Sequence, residues 1–154
     1  MLRFRSKTFW VLAMASAGWI ALALLYPLAA DLNWSFSPFL HSIYSSVCHQ
    51  SPERSFQLFA EPIAVCARCL GLYCGFCLGL SVLPLMPEVS RRLLDRPRLI
   101  LFFAIPMALD MLTNNTHATR YFSGLVASFP VPLFVSLAVA QFGASFRHFV
   151  GRKT

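Results

Sequence analysis

Charge is what this chain has least of. Asp, Glu, Lys and Arg make up 12% of its 154 residues, where a soluble globular domain carries about a quarter. So few charges cannot tile a water-facing surface. A free-standing soluble domain is therefore excluded, and the bilayer is the expected solvent, in line with a mean hydropathy of +0.62. Acidic residues are scarcest, at six against thirteen basic ones. Internal repeats and low-complexity tracts are also missing, which excludes a solenoid and a biased tail. A single membrane domain over 1–154 is the remaining organisation.

Long apolar runs are present instead. They predict an all-α, polytopic protein with four transmembrane helices, at about 9–30, 69–86, 99–116 and 121–146. A span takes about 20 apolar residues, within about 17–25. The third run, "LILFFAIPMALDMLT", is the shortest and contains a carboxylate, Asp110. The first run has a basic start like a signal peptide. It exceeds the usual apolar core of about 7–15 residues and no small-residue cleavage site follows, so a retained span is expected.

The basic residues are placed unevenly. Arg3, Arg5, Lys7, Arg91, Arg92, Arg96, Arg98, Arg147, Arg152 and Lys153 fall on one side of these spans, and only Arg54, Arg68 and Arg120 on the other. The positive-inside rule then puts both termini in the cytoplasm, in a plasma membrane of bacterial type. The positive charge serves topology and anionic lipid rather than nucleic acid.

The loop 31–68 is expected outside the cytoplasm. Phe36, Phe39, Leu40, Ile43 and Val47 recur in it at helical spacing, which predicts a short interfacial helix. "RSFQLFAEPIAV" has no such period and reads as a return segment, and "PEVSRRLLDRPR" as a charged cytoplasmic turn. Gly71, Gly75 and Gly79 form a stripe that lets another helix backbone approach closely, in this chain or in a homo- or hetero-oligomer.

The loop also holds the chemistry. Cys48 and His49 are adjacent, and Cys66 and Cys69 form C-A-R-C at the head of the second span. Three thiolates and one imidazole are a normal structural zinc set, so these four are the expected metal ligands. The competing reading is redox chemistry. A Cys-x-x-Cys outside the cytoplasm meets oxidising conditions, and Arg68 within it favours a thiolate. Thiol oxidases of the DsbB and vitamin K epoxide reductase type pass electrons from such dithiols to a quinone, but they use two cysteine pairs. Here the outer side offers three cysteines, which favours metal. Cys74 and Cys77 lie deeper in the span and read as small apolar residues. His41 and His117 are further ligand candidates.

Asp110 is the one carboxylate inside an expected span, and a charge there is costly unless paired or wet. Arg120 and Arg54 are its expected partners. Asp110, Arg54 and Arg120 are the candidate catalytic residues, with Arg68 and Tyr73 as ligand-binding residues. Three arginines, the only basic residues expected on this face, point to an anionic ligand, a lipid or a small metabolite.

Residues 48–56 read C-H-Q-x-P-x-R-S-F, through Cys48, His49, Gln50, Pro52, Arg54, Ser55 and Phe56. Residues 66–75 read C-A-R-C-x-G-x-Y-x-G, through Tyr73 and Gly75. Then come Pro106, Ala108 and Asp110, and later Arg120, Ser123 and Gly124. This pattern resembles the DUF2085 family of small predicted membrane proteins. The resemblance implies a shared site of cysteines, arginine and aspartate, and no particular reaction. Met111 stands where the family has glycine, and Asn114 near its usual glutamine.

The expected function is a metal–thiolate site, most simply zinc, on the extracytoplasmic face beside an Arg/Asp pocket. A quinone-linked thiol–disulfide oxidoreductase and a non-catalytic subunit of a membrane complex are the alternatives.

Overall fold

The structure is a computed structural model and describes residues 7–59, 61–113 and 116–139, with side chains from Trp10 onward. Arg3, Arg5, Arg147, Arg152, Lys153, Asn114 and the end of the fourth expected span, 140–146, lie outside the described residues.

The chain runs through α1 (Lys7–Asp31), α2 (Ser37–Ser45), α3 (Ala67–Val82), α4 (Pro87–Asp95), α5 (Ile100–Leu112) and α6 (His117–Ser128). A further helical stretch covers 131–139. Among the described residues, three segments are long and apolar enough to cross a membrane: Trp10–Asp31, Ala67–Leu85 and His117–Val139. The expected third span falls short. α5 has 13 residues, about 20 Å at 1.5 Å per residue, against a hydrocarbon core of about 30 Å. Charged and proline residues precede it, and the chain turns extended at Thr113 as soon as it ends.

Glycine decides how α3 and α6 meet. A Cβ on Gly71, Gly75 or Gly79 would land on the carbonyl oxygen of Tyr121, Leu125 or Phe129 respectively. Each four-residue step along α3 is thus matched by one along α6, so the helices run parallel with backbones touching. Gly124 returns the fit from α6, its face lying on the carbonyl of Arg68. The stripe expected to admit another helix is filled by a helix of the same chain. An oligomer would have to use another face.

The segment 87–98, expected as a turn, forms α4. Pro87 occupies the first turn with Glu88, and Arg92 the last, placements that suit the unpaired N–H groups and the helix dipole. Leu93 packs with Leu83 and Leu133, and Val89, Leu99 and Phe103 close around them. This cluster anchors the start of α5. The far end of α5 reaches the first turn of α3 through Asp110 and Arg68, so α5 runs the length of the α3–α6 pair. Its outer face is apolar and open, as at Leu101 and Phe102.

At the other end lies the expected interfacial helix, α2, which buries Leu40 and Tyr44. The return segment is more ordered than its sequence suggests. Gln57–Leu58 pairs antiparallel with Glu61–Pro62. Phe59 supplies the positive φ (55°) that a tight reversal needs. Phe56, just before this ladder, sets its ring edge-on to Tyr121 of α6 at 6.1 Å.

Candidate metal centre and its polar cavity

Cys66 is the extended residue that precedes α3 (φ −69°, ψ 158°). C-A-R-C therefore straddles a helix start, and its two thiols, three residues apart, lie on one side of it. The first N–H groups of a helix have no partner within it. One of the groups at this terminus, the Cys66 N–H, is given to the sulfur of Cys48 at 3.2 Å.

Two residues bring Cys48 there. The Cys48 N–H bonds the carbonyl of Tyr44 at 2.9 Å, and the fully buried Tyr44 donates its hydroxyl to the Trp19 carbonyl at 2.6 Å. Burial raises the Tyr44 phenol to about 12, so it stays a donor. Gln50 adopts a left-handed backbone (φ 49°). Its amide nitrogen donates to the carbonyls of His41 and Ala64, both at 2.9 Å. One side chain thus ties the middle of α2 to the approach to α3.

The outcome is three sulfurs, of Cys48, Cys66 and Cys69, within 4.8 Å of one another. Cys48 is buried, and the other two are partly so. Zinc bonds thiolate sulfur at about 2.3 Å, which sets tetrahedral ligands about 3.8 Å apart. The cluster stands close to that spacing, and its donors fit the ion. The Cys66 thiol is held well below its ordinary range. The Cys69 thiol that hydrogen-bonds it is the main cause, helped by the N–H of Cys69, the Cys48 thiol and the N–H of Arg68, against the effect of burial.

Beside the sulfurs opens a cavity of about 770 Å³, lined by His49, Arg54, Cys66, Arg68, Asp110 and Arg120 among others. All three arginines of the side poor in basic residues converge on it, although they come from the loop, α3 and α6. Three guanidinium groups face one carboxylate, which leaves the wall strongly positive. Cys66 belongs to both the sulfur cluster and the cavity wall.

The carboxylate is not paired as the sequence suggested. Asp110 is 5% exposed and accepts from Arg68, through Nε at 3.1 Å and through Nη2. Arg120 and Arg54 line the same cavity, but the ion pair is with Arg68. The reason is that the end of α5 stands level with the start of α3, and Arg68 is in the first turn of α3.

The remaining candidates separate. His49 lines the cavity, next to the sulfur cluster and outside it. The His41 ring lies 5.4 Å from that of Tyr26, and the His117 ring 5.9 Å from that of Phe56. Tyr73 meets Trp19 edge-on at 6.2 Å. It lines a smaller cavity of about 270 Å³ with Trp19 and Phe76, so it does not share the cavity of Arg68. Cys74 and Cys77 take no part in the sulfur group. The sequence reading gave no role to Gln50, although its place directly after Cys-His was a signal. It set Tyr44, with Trp34, at the headgroup level of the membrane; Tyr44 is instead fully buried against α1.

The family described as a predicted membrane protein (DUF2085) matches residues 48–134, from the first cysteine to beyond α6. An uncharacterized protein of Methanocaldococcus jannaschii is 33% identical over 109 residues, which is 66% of this chain and 70% of that protein. No solved structure matches.

Proposed function

The chain belongs to the DUF2085 family of predicted membrane proteins, and we propose that it is a metal–thiolate protein whose centre stands beside a cavity for an anionic ligand. One observation carries this reading: Cys66 is at once a member of the three-sulfur group and part of the wall of the arginine-lined cavity. Zinc is the ion that the donors suit, since thiolate sulfur and imidazole nitrogen are its usual ligands. We assign the fourth position to His49, which lines the cavity alongside Cys66 and would have to turn inward to join the three sulfurs, since it lies outside their group. The metal would fasten the loop to the head of α3. Arg54 and Arg120 would hold the anion by paired N–H donors, with Arg68 oriented by Asp110.

In this reading the site faces away from the cytoplasm, on the count of basic residues, and both termini are cytoplasmic. α5 serves as a fourth, short crossing. Its path from the α4 cluster to Arg68 supports this, since a short apolar helix can cross where the bilayer thins or flanking side chains reach out.

A second reading is supported by Cys66 alone. A lowered thiol at a helix start, with a second thiol three residues on, is how disulfide-exchanging pairs are built. Cys66 and Cys69 would then close an S–S bond and pass two electrons and two protons to a quinone, leaving a quinol. Metal content of the purified chain, set beside its free thiol count, separates the two readings.

A further inference from the structure

We infer that the anionic ligand is a phosphate-headed membrane lipid, with its head in the arginine cavity and its hydrocarbon chain in a cleft between α5 and α6. This rests on the anion-binding role proposed above for the cavity and names the ligand class.

The cleft has a volume of about 400 Å³. Asp110 and Thr113 line both it and the arginine cavity, so the two spaces abut. On α5 its wall is Pro106, Leu109, Asp110 and Thr113; on α6 it is Thr119, Phe122, Ser123 and Val126. Both sets follow the spacing i, i+3, i+4, i+7, which is one face of a helix. The cleft therefore runs lengthwise between two helices, while the arginines gather at its end.

Its polar side chains are already spent. Thr113 donates its hydroxyl to the Leu109 carbonyl at 3.2 Å, Thr119 to Thr116 at 2.9 Å and Ser123 to Arg120 at 3.0 Å. Each of these three bonds stays within the local chain, and the Asp110 carboxylate is held by Arg68, so the rest of the cleft offers methyl, methylene and ring surface to an occupant. Leu109 and Phe122 remain 59% and 61% exposed.

A soluble phosphate compound would use only the cavity and leave this wall to bulk lipid. A lipid uses both parts at once. Its phosphate carries one to two negative charges opposite three guanidinium groups, and Arg suits phosphate through parallel N–H donors. Its chain lies along the apolar faces. A positive site at the helix ends continuous with an apolar groove along the helices has the shape of such a molecule.

Calorimetric titration of the full-length protein in mild detergent tests this with three probes: dioctanoyl phosphatidate, dioctanoylglycerol and inorganic phosphate. We expect phosphatidate to bind at least tenfold more tightly than either of the others. Leu109→Trp, at an exposed position, should weaken phosphatidate at least tenfold and leave phosphate within twofold. Val126→Phe fills the cleft from the α6 side and should do the same. Arg120→Gln should weaken both phosphatidate and phosphate. Equal affinity for phosphatidate and phosphate, or indifference to both cleft variants, overturns the lipid and leaves the arginine cavity as a site for a soluble anion. Failure of both phosphate probes to bind, or diacylglycerol binding as tightly as phosphatidate, overturns the lipid together with the anion-binding role beneath it.

Discussion

Arg68 gives two N–H groups to one carboxylate oxygen of Asp110, across 42 positions of sequence, and so ties the first turn of α3 to the last turn of α5. Removing one partner of a fully buried pair costs about 3–5 kcal/mol, because the other charge is left unmet. Arg68 keeps 21% of its side chain open, so water meets part of that cost and the loss is nearer ~2 kcal/mol, as for a hydrogen bond to a charged group. Asp110→Asn and Arg68→Gln should each lower the melting temperature in detergent. The double variant should cost less than the two together by at least about 1 kcal/mol. Strictly additive losses would deny the pairing.

The α3–α6 contact makes a sharper statement about single atoms. Gly75→Ala puts a methyl group onto the Leu125 carbonyl and the Ser128 hydroxyl. The helices must part, at a cost of about 1–3 kcal/mol for an overpacked contact. Gly18 in α1 is the internal control, since a Cβ there meets nothing within 4 Å. Gly18→Ala should leave stability unchanged or raise it slightly. Thermal unfolding of the two variants side by side is the check. Equal melting points would mean that α3 and α6 do not touch through their backbones.

The sequence reading succeeded where one residue type carried the information. Glycine at four-residue spacing announced a helix contact, and two cysteine motifs announced their own meeting. The α2 helix was legible because its apolar residues repeat along one short stretch. α4 was missed because its charges read as a turn, although Pro87, Glu88 and the Val89–Leu93 spacing carried a helix signal. The two-residue ladder leaves too little sequence to show a period. The partner of Asp110 was not legible at all. It depends on which helix ends stand level, and that is set by packing on the Leu83–Leu133 cluster far from both residues.

Gln50 positions the site without belonging to the sulfur group. Gln50→Gly keeps the left-handed backbone at no steric cost but removes both hydrogen bonds, to His41 and Ala64. Cys48 should then stray from Cys66. Metal affinity should fall about 10- to 100-fold, as when a supporting partner of a ligand is lost. Titration with a competing chelator measures this. Wild-type affinity in Gln50→Gly would show that the side chain supports nothing.

The lowered Cys66 thiol gives a pH dependence to the metal-free protein. Its folded value, about 5, lies below the ordinary 9.0, so between these the unfolded chain binds the extra proton. The stabilisation is fully present above the ordinary value and is lost as pH falls through this window toward the folded value. Metal-free protein should therefore melt progressively lower from pH 9 to pH 5, and Cys66→Ala should flatten that slope. A slope unchanged by Cys66→Ala would place the titrating group elsewhere.

The metal centre is the claim on which most of this depends. Protein purified without chelator, under air-free conditions, should be analysed for metal by mass spectrometry alongside a count of free thiols after denaturation. The account predicts about one zinc per chain, with all five cysteines reduced, and loss of the zinc in both Cys66→Ser and Cys69→Ser. Metal-free protein containing a Cys66–Cys69 disulfide would contradict it and make the site a redox pair.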